Sequence, residues 1–95
     1  MPNRSKKEIE AALLRKGFQE RPGDHHYFIY HASTGLKTLV KTKTSLGNQP
    51  KTIGGDLFLA MARQCRLSSG DFARLVDCPL SRADYESLLQ KQGLL

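Results

Sequence analysis

The sequence predicts an α+β domain in which helices cover one face of a small antiparallel sheet. Three observations carry this. Thr38, Val40, Thr42 and Thr44 alternate with Lys37, Leu39, Lys41 and Lys43, the period of a half-buried strand. Ser5–Glu8, Ser68–Asp71 and Ser81–Asp84 each place a hydroxyl three residues before a carboxylate and ahead of apolar residues at helical spacing. The stretch from His25 to His31, HHYFIYH, is rich in β-forming aromatic residues and lies between two turn signals. A sheet with one apolar face beside several amphipathic helices buries most when the helices lie on that face.

The elements follow in order. Ser5 caps a first helix, Lys6 to Lys16, with Ile9, Ala12, Leu13 and Lys16 at helical spacing and Gly17 placed to end it in a left-handed conformation. Phe18 turns the chain back, and Phe18 to Glu20 reads as a short strand. Arg21-Pro22-Gly23-Asp24 is turn chemistry. His25 to His31 forms the next strand, Ala32-Ser33-Thr34-Gly35 a hairpin loop, and Leu36 to Thr44 the returning strand. Ser45 to Gly55 is an irregular connector. A second helix begins near Asp56, its apolar stripe being Leu57, Phe58, Met61, Ala62 and Cys65, with Arg63, Gln64 and Arg66 outside. Ser68 opens a helix with Phe72, Leu75 and Val76 inward. Asp77-Cys78-Pro79-Leu80 turns, and Ser81 opens a last helix with Tyr85, Leu88 and Leu89 inward and Gly93 past its end. The expected core joins Phe28, Tyr30 and Val40 to Ile9, Leu13, Leu57, Phe58 and Met61.

The chain has 95 residues, the size of one domain, and 39% of them are hydrophobic, enough for a folded core. We read residues 1–95 as a single domain. The formal charge of +6 favours an anionic partner, nucleic acid first among them. No apolar run reaches the ~20 residues a membrane span needs. No segment resembles a signal peptide, so a cytoplasmic protein with reduced thiols is expected. Cys65 and Cys78 form no CxxC or CxxH pattern and read as small buried hydrophobes.

All three histidines fall within one short strand. Side chains alternate there, so His25, Tyr27, Ile29 and His31 share one face while His26, Phe28 and Tyr30 share the other. His25 and His26 point to opposite sides, and His25 and His31 lie roughly 20 Å apart along the strand. Neither pair can chelate zinc at bond lengths of about 2 Å; no metal or cofactor is expected. Imidazole titrates near neutral pH, so one histidine at the strand start can move a proton at a ribose 2′-hydroxyl or a leaving 5′-oxygen. Lys37, Lys41 and Lys43 on the neighbouring strand, with Lys51 after it, can hold phosphates. The alternative is structural: three polar tips half-buried in an aromatic strand.

Lys16-Gly17-Phe18, Gly23-Asp24-His25-His26-Tyr27-Phe28 and the basic strand "TLVKTKTS" resemble HicA-type toxins, small ribonucleases (mRNA interferases) of toxin–antitoxin pairs. The resemblance covers roughly residues 5 to 66, and the remainder, 67–95, is a helical extension like that of a longer HicA-like branch. It implies a double-stranded-RNA-binding-like α-β-β-β-α core, RNA as partner, and a HicB-like antitoxin. It places the family's catalytic histidine at His25, with His26 chosen instead if the alignment slips by one. Asp24 stands where the motif has serine, and Leu46 stands near where the family often has a second histidine. Two functions follow: a metal-independent RNA endonuclease, or a non-catalytic module that binds RNA or protein through the same surface.

Overall fold

Residues 4–47 and 51–95 are described by a computed structural model of the chain. The order is β1 (Arg4–Ser5), α1 (Lys6–Arg15), β2 (Phe18–Arg21), β3 (His26–His31), β4 (Lys37–Thr44), β5 (Thr52–Ile53), α2 (Gly55–Gln64), α3 (Ser69–Asp77) and α4 (Arg82–Lys91). The expected α+β class is the observed one. β2, β3 and β4 form an antiparallel sheet with β3 in the middle, and β1 pairs with β5 in a second, two-stranded ladder. That ladder was not foreseen: β5 lies within the expected irregular connector, of which residues 48–50 lie outside the described residues.

Local chemistry starts each helix. The hydroxyls of Ser5, Ser68 and Ser81 accept hydrogen bonds from the amides of Glu8, Asp71 and Asp84 at 3.0–3.1 Å. Each satisfies one of the amides that a helix N-terminus leaves without an internal partner. Gly17 ends α1 at φ +106°, and a Cβ there would lie 2.6 Å from Arg82 Nε and 2.8 Å from the Tyr30 ring. A side chain at this position is therefore excluded twice, by backbone conformation and by space.

Strand alternation decides the core. Thr38, Val40, Thr42 and Thr44 are buried and Lys37, Leu39, Lys41 and Lys43 exposed, as the pattern predicts. Phe28 and Tyr30 point inward from β3 and join Ile9, Leu13, Phe58 and Met61 in one buried cluster. The same cluster takes Phe72, Leu75 and Val76 from α3 and Tyr85 and Leu89 from α4. Between Ile29 and His31 the register with β4 slips: Ile29 pairs with Lys41, but His31 pairs with Lys37. Thr38 fills the resulting bulge, its hydroxyl donating to the Tyr30 carbonyl at 2.8 Å and accepting from the Val40 amide at 3.1 Å. Leu39, on the bulge, is 95% exposed.

Two expectations are corrected. Leu57, placed in the α2 stripe and the core, is 44% exposed; it sits in the first turn of α2, at the rim of the packed layer. Cys78, read as a buried hydrophobe, is exposed. It occupies the left-handed C-cap of α3, φ 83°, where the chain leaves the core surface. Cys65 is buried, and burial pushes its thiol pKa up. None of the helices among the described residues is long and apolar enough to cross a membrane.

The C-terminal pair is clasped to the sheet by polar groups as well as packing. The Tyr30 hydroxyl donates to Glu86 Oε2 at 2.6 Å, the Ser33 amide donates to the same oxygen at 2.8 Å, and Arg82 Nη2 donates to the His31 carbonyl at 2.8 Å. At the other end Arg4 Nε donates to Asp77 Oδ1 at 2.9 Å. The Tyr30 hydrogen bond holds the Glu86 carboxyl below the usual range, and the Arg4 hydrogen bond does the same for Asp77. A carboxyl with a depressed folded pKa stabilises the fold above its unfolded value, near pH 4, and loses that contribution as pH falls through the folded value. Thermal melts should therefore be flat from pH 7 to about 5 and fall below about 4. A Glu86→Gln variant should melt lower at pH 7 and decline less steeply in acid. A melting temperature unchanged down to pH 2.5 would contradict the role given to these carboxylates.

Candidate nucleic-acid interface

The sheet has one face under the helices and one without them. β2 contributes Gln19 and Arg21 to the open face, β3 contributes Tyr27, Ile29 and His31, and β4 contributes Lys37, Leu39, Lys41 and Lys43. The register sets Tyr27 between Arg21 and Lys43, Ile29 opposite Lys41, and His31 opposite Lys37. Lys41 Nζ lies 5.5 Å from the Tyr27 ring centroid, a cation–π distance. None of these outward positions carries a carboxylate. Arg21, Lys41 and Lys43 lie about Tyr27, Lys37 stands farther along the face opposite His31, and Asp24 bonds the Tyr27 hydroxyl at its end, so the face is positive on balance.

His25 stands at the end of this face, just before β3. Its side chain is 38% exposed, and Nδ1 lies 3.6 Å from Asp24 Oδ2. Asp24 is itself fixed by the Tyr27 hydroxyl, which donates to Oδ1 at 2.6 Å. That hydrogen bond, helped by His25, holds the Asp24 carboxyl below its ordinary range, and it raises the Tyr27 phenol. An anionic Asp24 beside Nδ1 favours the tautomer with its proton there, leaving Nε2 to exchange protons with a ligand. Nδ1 is shielded from solvent while the ring as a whole is not, which points to the same nitrogen.

His26 is as exposed as His25 and its Nδ1 is shielded in the same way, but its neighbours differ. It turns toward Phe28, the rings meeting edge-on at 6.4 Å. Its Nδ1 lies 3.6 Å from Glu10 Oε2 and 3.7 Å from Glu20 Oε2. Glu10 also accepts the Thr44 hydroxyl at 2.6 Å, which anchors it. Two carboxylates flank His26, whereas Lys43 lines the same hollow as His25. A phosphate meets two carboxylates at the first, and at the second only Asp24, offset by Lys43.

Lys37, Lys41 and Lys43 share the open face of β4 as the alternation predicts, with Lys37 toward the His31 end. Lys51 does not join them. It precedes β5 and lines a cleft with Lys6, Lys7 and Glu10 on the side of the second ladder, where its carbonyl accepts the Lys6 amide at 2.8 Å. His31 closes the far end of β3 with Nδ1 3.1 Å from the Ile29 carbonyl oxygen. Leu46, where the family often has histidine, is exposed in the bend after β4. Among the described residues no group of three or more His, Cys, Asp or Glu side chains is arranged to hold a metal ion. Asp24 and Tyr27 were missed as partners of His25; the signal was their spacing of three around the strand start. Arg21, assigned to a turn, ends β2 on the basic face. No family model, curated protein or solved structure matches this chain.

Proposed function

We propose that the chain is a HicA-like endoribonuclease that holds single-stranded RNA on the open sheet face and cleaves it without a metal, using His25 as general acid or base. The observation that carries the reading is the face itself: Arg21, Lys41 and Lys43 about Tyr27, Lys37 farther along it opposite His31, and His25 with its Asp24 partner at its end. Lysines pair with phosphates while the Tyr27 ring offers a stacking surface, a combination suited to single strands. RNA brings its own nucleophile. Neutral His25 Nε2 takes the 2′-hydroxyl proton, the 2′-oxygen bonds to phosphorus, and the 5′-oxygen leaves with a proton from water. The products are a 2′,3′-cyclic phosphate and a 5′-hydroxyl. Lys43 offsets the charge that builds on the phosphoryl oxygens.

The second reading is a non-catalytic module. Leu36 and Leu39, 62% and 95% exposed beside the lysines, favour it, because exposed leucines suit a protein surface better than phosphates. The two readings meet in a HicB-like antitoxin, whose acidic and apolar groups would cover this face and His25.

Binding to single-stranded RNA across a salt series tests the interface. Affinity should fall with salt at a slope near −2, about −0.7 for each of three lysine contacts. Replacing Lys37, Lys41 and Lys43 by glutamine should flatten the slope to no more than the share that Arg21 alone can carry, about −0.7. A salt-independent interaction, or no interaction with RNA, would move the function to protein binding.

A further inference from the structure

We infer that the hollow beside His25 is a pocket for one nucleobase of the bound strand, so that the protein reads a base as well as the RNA backbone. This deepens the RNA-binding reading and rests on it. The hollow has a volume of about 180 Å³ and an apolar floor of Ile53, Leu57 and Met61. His25, Lys43 and Thr44 stand on its polar side. Pockets for whole small molecules usually run to about 300–1,000 Å³. This one is the size of a single ring system. Leu57 explains itself here: it is the one member of the α2 stripe that the core leaves 44% exposed, and its exposed surface lines the hollow.

The rim is built rather than accidental. The Lys6 ammonium, also at the hollow, is nearly buried and donates to the carbonyls of Ser45 and Gly47, so it braces the bend after β4. Its hydrogen bonds are already committed, and it is not the phosphate ligand. Lys43 is. It lines both the hollow and a shallow groove formed with Tyr27, Lys41, Thr42 and Gln64. A strand whose phosphates lie on Lys41 and Lys43 therefore passes directly from the open face to the mouth of the hollow. There the base of the next nucleotide meets the exposed Leu57 side chain, set over the buried Ile53 and Met61, and the His25 imidazole. A free phosphate would gain nothing from that floor; a flat, partly polar ring would. A base held in this way also brings its own ribose to His25, which gives the pocket a positioning role in cleavage.

The test compares two probes, a short RNA oligonucleotide of mixed sequence and the same length of abasic ribose-phosphate chain. Wild-type protein should prefer the base-bearing RNA by about tenfold or more, in line with the usual gain from one buried or stacked base. Leu57→Gln keeps the length and helix propensity of an exposed position and should lose most of that preference, while its affinity for the abasic chain and its salt slope stay unchanged. Leu14→Gln, an equally exposed leucine on α1, should keep the preference. If Leu57→Gln retains the wild-type preference, or wild type shows none while binding both probes with strong salt dependence, the pocket assignment is overturned and the basic interface stands. If wild type binds neither probe, both fall together.

Discussion

A chain ending at Leu67 is expected to lose its cooperative thermal transition. The two helices removed supply Phe72, Leu75, Val76, Tyr85 and Leu89 to the core, each 5% exposed or less. At about 1.5–3 kcal/mol per buried side chain before entropy, their contribution is as large as the net stability of a typical domain, about 5–15 kcal/mol. Tyr85 is the keystone. Its ring packs 5.0 Å from Tyr30 and 5.9 Å from Phe18, and its hydroxyl donates to the Cys65 carbonyl at 2.7 Å. The deletion also strips Lys16 of the Leu80 carbonyl it donates to, and Tyr30 of Glu86. Near-UV circular dichroism should show the aromatic signal gone, and a hydrophobic dye should bind. Tyr85→Ala is the milder form, expected to cost about 3–5 kcal/mol like other large aromatic deletions. A truncated chain with a sharp transition near that of the full chain would mean that residues 4–67 hold a core of their own.

His25→Ala is expected to lower single-turnover RNA cleavage by about 10²–10⁴-fold, the reach of one positioned acid–base group. The salt dependence of its RNA binding should stay unchanged, because the lysines that pair with phosphates lie on β4, so that any loss of affinity comes from the base contact alone. Asp24→Asn should give a smaller loss in cleavage, since it weakens the tautomer and orientation of the ring and leaves the ring in place. His26→Ala should act on stability instead: without the imidazole, Glu10 and Glu20 face each other with nothing between them. The reverse pattern, with His26→Ala inactive and His25→Ala near wild type, would transfer the acid–base role to the carboxylate-flanked histidine.

The parts of the fold that could be read from sequence are those whose signal is local. The alternation of Thr38 to Thr44 fixes which face of β4 is buried, because side chains on a strand have a period of two. Ser5, Ser68 and Ser81 could be named as caps because hydroxyl and amide lie three residues apart. The β1–β5 ladder left no such trace: it joins pairs of residues 47 to 49 positions apart, and neither segment is long enough to show alternation. Leu57 fits the helical stripe by spacing, but whether a stripe residue meets the core depends on where the helix end stops over the sheet. The site followed the same rule. The lysines of β4 were legible together because one strand holds them. Lys51 was grouped with them by proximity in sequence and parted from them by the turn of chain into β5. His25 and His26 look equivalent in a string of letters. Their difference comes from Glu10 on α1 and Glu20 on β2, which only the folded register brings to His26.

In the function we propose, the RNA's own 2′-hydroxyl attacks the adjacent phosphate with the help of His25. The most direct measurement is incubation of the purified protein with mixed-sequence RNA in excess EDTA, followed by analysis of the product ends. The account predicts fragments ending in 2′,3′-cyclic phosphate or 3′-phosphate, with 5′-hydroxyl partners, formed at the same rate with and without EDTA and lost in His25→Ala. RNA left intact by a protein that binds it would contradict catalysis and leave the basic face as a binding surface. Fragments with 5′-phosphate and 3′-hydroxyl ends that vanish in EDTA would contradict the chemistry outright.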